Sequence, residues 1–473
     1  MTRPKVIQIL KYLGLVVGCV AKFTSGSLFV FNAYQNAIKS MYNYTQSEVE
    51  LLSSALNLGL GTGFLPGMLY DRFGPFWTSG SGLLVSGIAY FLIWSTTKSV
   101  DFYKTRSGLV AVYFYFAGFG SLFSYMSALN TNVVNFPAEH RGKVIGLLNA
   151  CFTGSPSIFA LLYYHVFSTG DYNRVENQDF SGFMLFFAIL FVVMNLLCML
   201  FLHDLSKLKS KELVISNSID ENSVQVSSET SINHQDGVAT DTDTSPILQD
   251  EETQVETSFS RFLKLVKSLD FQLLCVSFTF AAVLGLVNTN NITVITKAVG
   301  LSSYDNDIVI SMPVANTILS LGIGPLSDKV KAKCPRLTFF LASCVFFTLA
   351  ELVFIVFASS IGGIFIGIIL VGFGIGILWT LVPTIVSELF GISDFGRNWG
   401  ILLMLSGLGS LAGQAIFGKI YDSMITEPGS LYCYGTKCFL YDFIFMAVLG
   451  LISIILAAIL DIRLQRRQYN QII

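Results

Sequence analysis

A short turn motif occurs twice in this chain, about half the chain length apart, and each copy separates two long apolar stretches. The copies are GMLYDRFG at 67–74 and GPLSDK at 324–329. Glycine permits two helices to approach closely, and an Asp in a tight turn can place its carboxylate at a helix N-terminus. Its recurrence in two hydrophobic halves predicts a duplicated membrane protein.

Composition supports an all-α membrane protein. Hydrophobic residues make up 53% of the chain and charged residues 13%. The apolar residues form runs near the ~20 residues that cross a bilayer as a helix. The formal net charge of -2 gives no basic field that would attract nucleic acid. We predict 12 transmembrane helices in two pseudo-symmetric six-helix bundles, at about 9–31, 48–70, 75–96, 107–133, 143–168, 181–203, 270–296, 306–327, 336–358, 361–388, 398–421 and 439–461.

The predicted bundles occupy 1–203 and 261–473, with a linker at 204–260. The linker has no apolar run and is rich in Ser, Thr, Asp and Glu, so it is expected to be disordered. Ser227, Ser228 and Ser245 lie near acidic residues and are candidate phosphorylation sites, although a spacer is the favoured role of this segment.

The basic residues predict the orientation in the membrane. Of the 29 Lys and Arg residues, 20 fall on the side of the termini and the linker, eight on the other side, and one, Lys22, inside the first span. Basic residues favour the cytosolic side. Both termini and the linker are therefore expected in the cytosol, in the plasma membrane or an internal membrane, without a cleavable signal peptide.

Two of the eight cysteines differ from the others in their surroundings. Most of the remaining ones lie in apolar runs and are expected to act as small core residues. Cys433 and Cys438 share a polar loop and could form a disulfide if that loop is extracytosolic.

The turn motif after the second span and its degenerate copy after the eighth resemble the signature of the major facilitator superfamily. The segments at 26–34, 38–39, 44–47, 387–391, 396–398 and 418–422 resemble its nodulin-like branch, which is related to oxalate/formate and monocarboxylate exchangers. The chain departs from the family pattern at Pro75 and Phe76, where basic residues usually follow the first turn.

This resemblance implies a solute site midway through the membrane, exposed to each side in turn as the bundles rock. The expected function is secondary-active or facilitative transport of a small organic solute by alternating access. The expected partners are that solute and membrane lipid, without nucleic acid; the chain is expected to act as a monomer without a cofactor.

A cytosolic gate is the first candidate site. Charges on this side of the two bundles can pair when the gate is closed, and each exposed pair contributes only ~0–1 kcal/mol, so a network is required. The alternative is that these are loop charges that set orientation. The candidate gate residues are Gly67, Asp71, Arg72, Gly74, Glu139, Arg141, Asp328, Lys329, Glu388 and Arg397.

Lys22 is the sharpest candidate for solute binding. It lies near the middle of the first span, where a charge costs ~2.5–3.5 kcal/mol on insertion scales. Gly18, Ser25 and Gly26 share its helical face. The alternative is a lysine tied to carbonyl groups or a neighbouring helix.

The expected lining spans contain no Asp or Glu away from their ends, and Glu351 lies on the ninth span, expected to be peripheral. One fixed cation without a carboxylate favours a small anion or zwitterion over a cation, and the resemblance implies that a monocarboxylate is the favoured solute of this kind. Neutral polar residues that could orient the solute, or serve packing alone, are Ser25, Asn130, Asn149, Asn288, Asn316 and Gln414.

Other functions are weighed against transport. The chain lacks a phosphate-binding loop, a metal-ligand cluster and a nucleophile beside a base, so an enzyme is not expected. A channel is disfavoured by the twofold gate pattern. The alternatives left open are an exporter of iron or a metal chelate, and a non-transporting receptor that signals through the linker.

Overall fold

A computed structural model describes residues 3–169, 175–205, 258–425 and 433–472, and these residues are almost entirely helical. Within them, 11 helical segments are long and apolar enough to cross a membrane. One of these, Leu51–Thr96, has 46 residues, about twice the length that one crossing needs.

This long segment is two spans joined at the first turn motif. Gly74 has φ 79°, a left-handed conformation that breaks the helix. Before the bend the chain follows the fourth span to its end, where the Tyr70 hydroxyl donates to Thr131 at 3.0 Å. After the bend it runs back until the backbone of Ser86 meets Gly120. The prediction of 12 spans is therefore confirmed.

The first span comprises Arg3–Gly26, a 3₁₀ turn at Ser27–Val30 and Phe31–Tyr42; the second comprises Gln46–Gly61 and the start of Phe64–Thr96, which continues as the third. The remaining spans, fourth to twelfth, are Ser107–Asn135, Arg141–Val166, Phe180–Phe201, Leu269–Ala298, Asp305–Val330, Arg336–Phe357, Ile361–Leu389, Phe395–Ser423 and Leu440–Ile472. Short helices lie at Val100–Tyr103 and Ser258–Lys267, and 3₁₀ turns at Ala138–His140, Val175–Asn177, Ser302–Tyr304 and Thr436–Cys438.

Several helices extend past the predicted ends, because a hydropathy pattern detects only the apolar part of a helix. The first span continues to Tyr42 and the twelfth to Ile472, in both cases through polar residues. A capping box then starts the second span: the Thr45 hydroxyl accepts from the Glu48 N–H, and the Glu48 carboxylate accepts from the Thr45 N–H at 2.8 Å. Most of the predicted linker, with its three candidate serines, lies outside the described residues.

The face of the bundle where the first span begins and the twelfth ends is called the terminal face, and the opposite face is the far face. The Lys11 ammonium lies 4.1 Å from the Phe136 ring, which joins the start of the first span to the end of the fourth. Arg463 of the twelfth span contacts Asp270 at the start of the seventh at 3.0 Å. The first span and the seventh span therefore both begin at the terminal face.

The buried apolar residues show where the halves meet. One large cluster joins the terminal parts of the fourth and fifth spans, from Leu122 to Leu148, to the second half. A separate cluster fills the far part of the first half, and its described members, from Leu28 to Phe191, include no residue of the second half. The shared core is thus at the terminal face, and the described halves pack separately at the far face.

Candidate gate and solute site

The first turn motif contacts the start of the eleventh span in the opposite half. A Cβ built on Gly67 would collide with the Gly396 carbonyl oxygen, so glycine is needed for this approach. The Asp71 carboxylate accepts from the Gly396 N–H at 2.9 Å and from the Arg397 N–H at 2.6 Å. First-turn N–H groups lack intrahelical acceptors and favour negative charge. Asp71 therefore caps a helix of the other half.

The second motif repeats this contact in the reverse direction. A Cβ on Gly324 would collide with the Gly142 carbonyl oxygen at the start of the fifth span. The Asp328 carboxylate accepts from the Gly142 N–H at 3.1 Å and from the Lys143 N–H at 2.9 Å. Each half thus caps one helix of the other, and these two contacts close the terminal face.

Three predicted gate charges lie outside this contact. Arg72 and Lys329, the basic residues of the two motifs, are exposed, and the Arg72 guanidinium lies 5.3 Å from the Phe73 ring centroid. Glu139 is also exposed, and no ion pair joins it to another described residue. Across the two halves, the Asp71 and Asp328 carboxylates accept from backbone N–H groups. The sequence predicts charged side chains of the opposite half as their partners.

Arg336, which the sequence analysis did not select, reinforces the second contact. Its guanidinium pairs with Asp328 at 2.7 Å, and both side chains are 2% exposed. It also donates to the Ala138 carbonyl of the other half at 3.3 Å. Glu388 approaches Arg336 at 3.5 Å and Lys331 at 2.6 Å, which keeps this acid within the second half. The sequence signal that could have identified Arg336 is its position as a basic residue at the start of the ninth span.

The two remaining gate arginines bind locally for the most part. Arg141 is buried and its Nε donates to the Val133 carbonyl at 3.2 Å, while its contact to Ser387 of the other half is long, at 3.5 Å. The Arg397 guanidinium lies 3.4 Å from the Asp394 carboxylate. The backbone N–H of Arg397, not its side chain, meets the motif.

The short helix Ser258–Lys267, called the junction helix, adds a bridge at the terminal face. Arg261 pairs with Asp394 at 3.2 Å. Phe262 lies 6.3 Å from the Phe64 ring of the first half, and its ring also receives the Arg397 guanidinium at 5.2 Å. The junction helix therefore covers the first-motif contact and touches both halves.

Lys22 is enclosed by aromatic rings near the middle of the membrane. It is 2% exposed, and its ammonium lies 3.0 Å from the Tyr125 ring centroid and 5.5 Å from that of Phe152. No hydrogen bond or ion pair joins it to another described residue. The Tyr125 side chain in turn approaches Trp399 of the other half. Lys22 thus points into protein and is held by cation–π contacts.

Asn149 and Asn316 meet between the halves. Asn149 donates to the Ser320 hydroxyl at 2.9 Å, and Ser320 donates to the Asn316 side-chain oxygen at 3.1 Å. Thr153 and Thr317 form a second link at 3.2 Å. These residues form a polar layer between the halves, beside Phe152, whose ring centroid lies 5.5 Å from the Lys22 ammonium.

The structure places the other four candidates elsewhere. Ser25 donates to the Ser121 carbonyl at 3.1 Å and serves packing within the first half. Asn130 is buried with both amide atoms unpartnered among the described residues, and its amide nitrogen borders Gly396 at the gate. Gln414 accepts from Asn291 at 2.7 Å, and Asn288 donates to Glu351 at 2.5 Å. These residues do not gather at Lys22.

The loop before the twelfth span contains a disulfide between Cys433 and Cys438. It lies at the far face, where the twelfth span begins, and the Gly435 N–H in its loop donates to the Ala298 carbonyl at 2.8 Å. The bridge therefore fixes this loop beside the end of the seventh span.

Comparison with known proteins agrees with this architecture. Two overlapping parts of the chain, 15–337 and 273–471, match the family described as the Major Facilitator Superfamily. The chain belongs to the Major Facilitator Superfamily. It is therefore a multi-pass membrane transporter that acts on a small-molecule solute, rather than an enzyme.

Several curated relatives of this superfamily member are named probable transporters. The chain is 24% identical over 431 residues to "Probable transporter MCH1" of Debaryomyces hansenii, covering 88% of this chain and 85% of the relative. It is 25% identical to the protein of the same name from Candida albicans, covering 88% and 86%.

Solved structures of the Major Facilitator Superfamily share the fold. The transporter FucP in the outward conformation matches with a TM-score of 0.63 and 12% identity, over 95% of this chain and 99% of FucP. The proton:xylose symporter XylE matches with a TM-score of 0.66 and 14% identity, over 95% of each chain. At these identities the likeness shows the fold alone.

Proposed function

We propose that this protein transports a small organic anion or zwitterion, with a monocarboxylate favoured, through a site centred on Lys22. The observation that carries the proposal is a buried ammonium at mid-membrane, faced by aromatic rings and without a carboxylate among its described contacts. An anionic group would supply the missing counter-charge. The first-half segments at 26–34, 38–39 and 44–47, which resemble the branch related to oxalate/formate and monocarboxylate exchangers, support the same solute class.

The contacts between the halves support alternating access. They run from the terminal face to the polar layer of Asn149 and Asn316. A solute that enters from the far face must therefore displace the Tyr125 or Phe152 ring to reach the ammonium, with the gate closed behind it. Release to the terminal face requires both motif carboxylates to leave their helix ends.

The orientation is part of the proposal. The excess of basic residues at the terminal face favours a cytosolic location for both termini, in the plasma membrane or an internal membrane. In that orientation the contacts at the terminal face would form the closed cytosolic gate.

The test is uptake by the full chain in proteoliposomes. The probes are labelled lactate and pyruvate, with an amino acid and ferric citrate as competing solute classes, each with and without a pH gradient. We expect monocarboxylate uptake in the wild type. Lys22→Met should reduce it roughly tenfold to a hundredfold, because a charge-assisted contact contributes ~1.5–3 kcal/mol.

Lys104→Met is the matched control, because Lys104 is an exposed far-face lysine paired with Asp101 at 3.3 Å. This control should retain wild-type uptake. Unchanged uptake in correctly folded Lys22→Met would exclude the proposed site. Uptake of ferric citrate alone would favour the metal-chelate alternative, and binding without uptake would indicate a receptor.

A further inference from the structure

A second polar cluster lies inside the second half, away from Lys22. Glu351 of the ninth span is fully buried, and its Oε1 accepts from the Asn288 amide of the seventh span at 2.5 Å. Its other oxygen, Oε2, has no hydrogen-bond partner among the described residues. A span expected to be peripheral therefore brings an acid against one of the spans expected to line the pathway.

Asp442 of the twelfth span is the second acid of this cluster. It is 2% exposed, and its Oδ1 also lacks a partner among the described residues. The Phe354 ring, one turn after Glu351, stacks at 5.2 Å on the ring of Phe443, the residue that follows Asp442. The ninth and twelfth spans thus bring two buried carboxyl groups, each with an open oxygen atom, to the same part of the second half.

Neither acid forms an ion pair with another described residue. The seventh span offers the neutral Asn288 amide, with Lys297 nine residues further on, and the twelfth offers Asp442. The tenth span, which also packs on the ninth, has no ionisable residue before Glu388 at the terminal face. Two ionised carboxylates so placed would repel each other, and a buried charge with one hydrogen bond costs several kcal/mol. A proton on Glu351 removes one charge and gives its open oxygen a hydrogen to donate.

A polar path leads from this cluster to the interface between spans. Asn288 and Asn291 lie one turn apart on the seventh span, and Asn291 donates to Gln414 of the eleventh span at 2.7 Å. The eleventh span is the one that Asp71 caps. A change of charge at Glu351 can therefore act on the position of two spans that carry the gate and the pathway.

We propose that Glu351, with Asp442 nearby on the twelfth span, forms a proton-binding site in the second half, which takes up a proton and releases it during the transport cycle. The proton adds to a carboxylate oxygen and leaves from it, without other bond changes. The binding site stands on its own geometry, whereas its coupling to solute movement rests on the proposed function.

Infrared difference spectroscopy of the purified full chain tests the binding site without a solute. The wild type should show the C=O band of a protonated carboxyl group near neutral pH, and this band should disappear as the pH rises. Glu351→Gln should remove the band. Asp101→Asn, which changes an exposed acid with a 98% exposed side chain, should leave it unchanged.

Two further variants protect this test against a misfolded Glu351→Gln protein. Asn288→Ala removes the donor to the carboxylate and should move the disappearance of the band upward by about one to two pH units. Asp442→Asn should move it downward, because the repelling charge is gone. A band that survives in Glu351→Gln, a wild type without the band, or a band removed by sodium at constant pH would overturn the proton site.

Labelled lactate in proteoliposomes tests the coupling. One proton per solute permits an accumulation of about tenfold per unit of pH gradient. Glu351→Gln should abolish this accumulation and retain exchange of lactate across the membrane. Gradient-driven accumulation in this variant would overturn the coupling. If the wild type does not transport lactate, the proposed solute fails for this probe, while the infrared result still decides the proton site.

Discussion

The two gate contacts use the same device with different support. In both, a motif carboxylate caps the first turn of a helix in the opposite half, and a glycine four residues earlier permits the approach. Asp328 also holds the buried Arg336 guanidinium at 2.7 Å. Asp71 receives two backbone donors, and the junction helix covers its site through Arg261 and Phe262.

This difference shows how a duplicated motif can become asymmetric. The contact that both copies retain is between a carboxylate and backbone N–H groups. The supporting charge is a side chain in the second half, whereas in the first half Pro75 and Phe76 follow the motif. The second contact therefore carries a buried ion pair, and the first depends on packing at the terminal face.

The largest expected effect is the opening of the terminal face by Asp328→Asn, which should exceed the opening by Asp71→Asn. Asp328→Asn leaves the buried Arg336 without its closest counter-charge, which should destabilise the closed terminal face by about 3 kcal/mol. Asp71→Asn removes a charged helix cap and should cost about 1 kcal/mol. The measurement is the distance between spin labels at 139 and 329, in a background without the six unpaired cysteines.

A double variant sharpens this comparison. Replacing Arg336 by Met together with Asp328→Asn removes the unpaired charge, so the double variant should be less open than Asp328→Asn alone. Equal opening by Asp71→Asn and Asp328→Asn would contradict the proposed asymmetry.

An intermediate effect is expected at Gly67 and Gly324, because each contact contains one such closely packed glycine. Gly67→Ala and Gly324→Ala force a methyl group against a backbone carbonyl and should each destabilise the closed face by ~1–3 kcal/mol. Gly322→Ala is the matched control, because a Cβ there meets no atom within 4 Å. Gly322→Ala gains the same helix propensity as the two test variants. The distance between the spin labels at 139 and 329 should therefore keep its value for the closed terminal face. Opening of the control to the same extent would refute a role for close approach.

The smallest effect is expected at the junction helix. Arg261→Gln removes an ion pair whose arginine side chain is 46% exposed, and such a pair contributes ~0–1 kcal/mol. Uptake should change less than about fivefold, and the change should vanish at high salt because exposed charges are screened. A salt-independent loss would mean that Arg261 acts through packing instead.

The sequence predicts the spans well, because they follow from local patterns. Apolar runs define the helices, and the repeated glycine and Asp mark the contact between halves. The partners of Asp71 could not be predicted, since they are backbone atoms exposed only by the position of the eleventh span. Asn288 and Gln414 were grouped with Lys22 because polarity alone does not show which side of a helix turns toward a cavity. Glu351 and Asp442 are 91 positions apart in sequence, so only the tertiary fold, through the stacking of Phe354 on Phe443, shows that they lie in the same region.

The use of main-chain amides by both motif carboxylates has a consequence for comparative genomics. Every amino acid except proline supplies a main-chain N–H, so a substitution at these positions requires no compensating substitution at the Asp. Methods that infer proximity from correlated substitutions would therefore miss the contacts of Asp71 and Asp328, although each joins residues more than 180 positions apart.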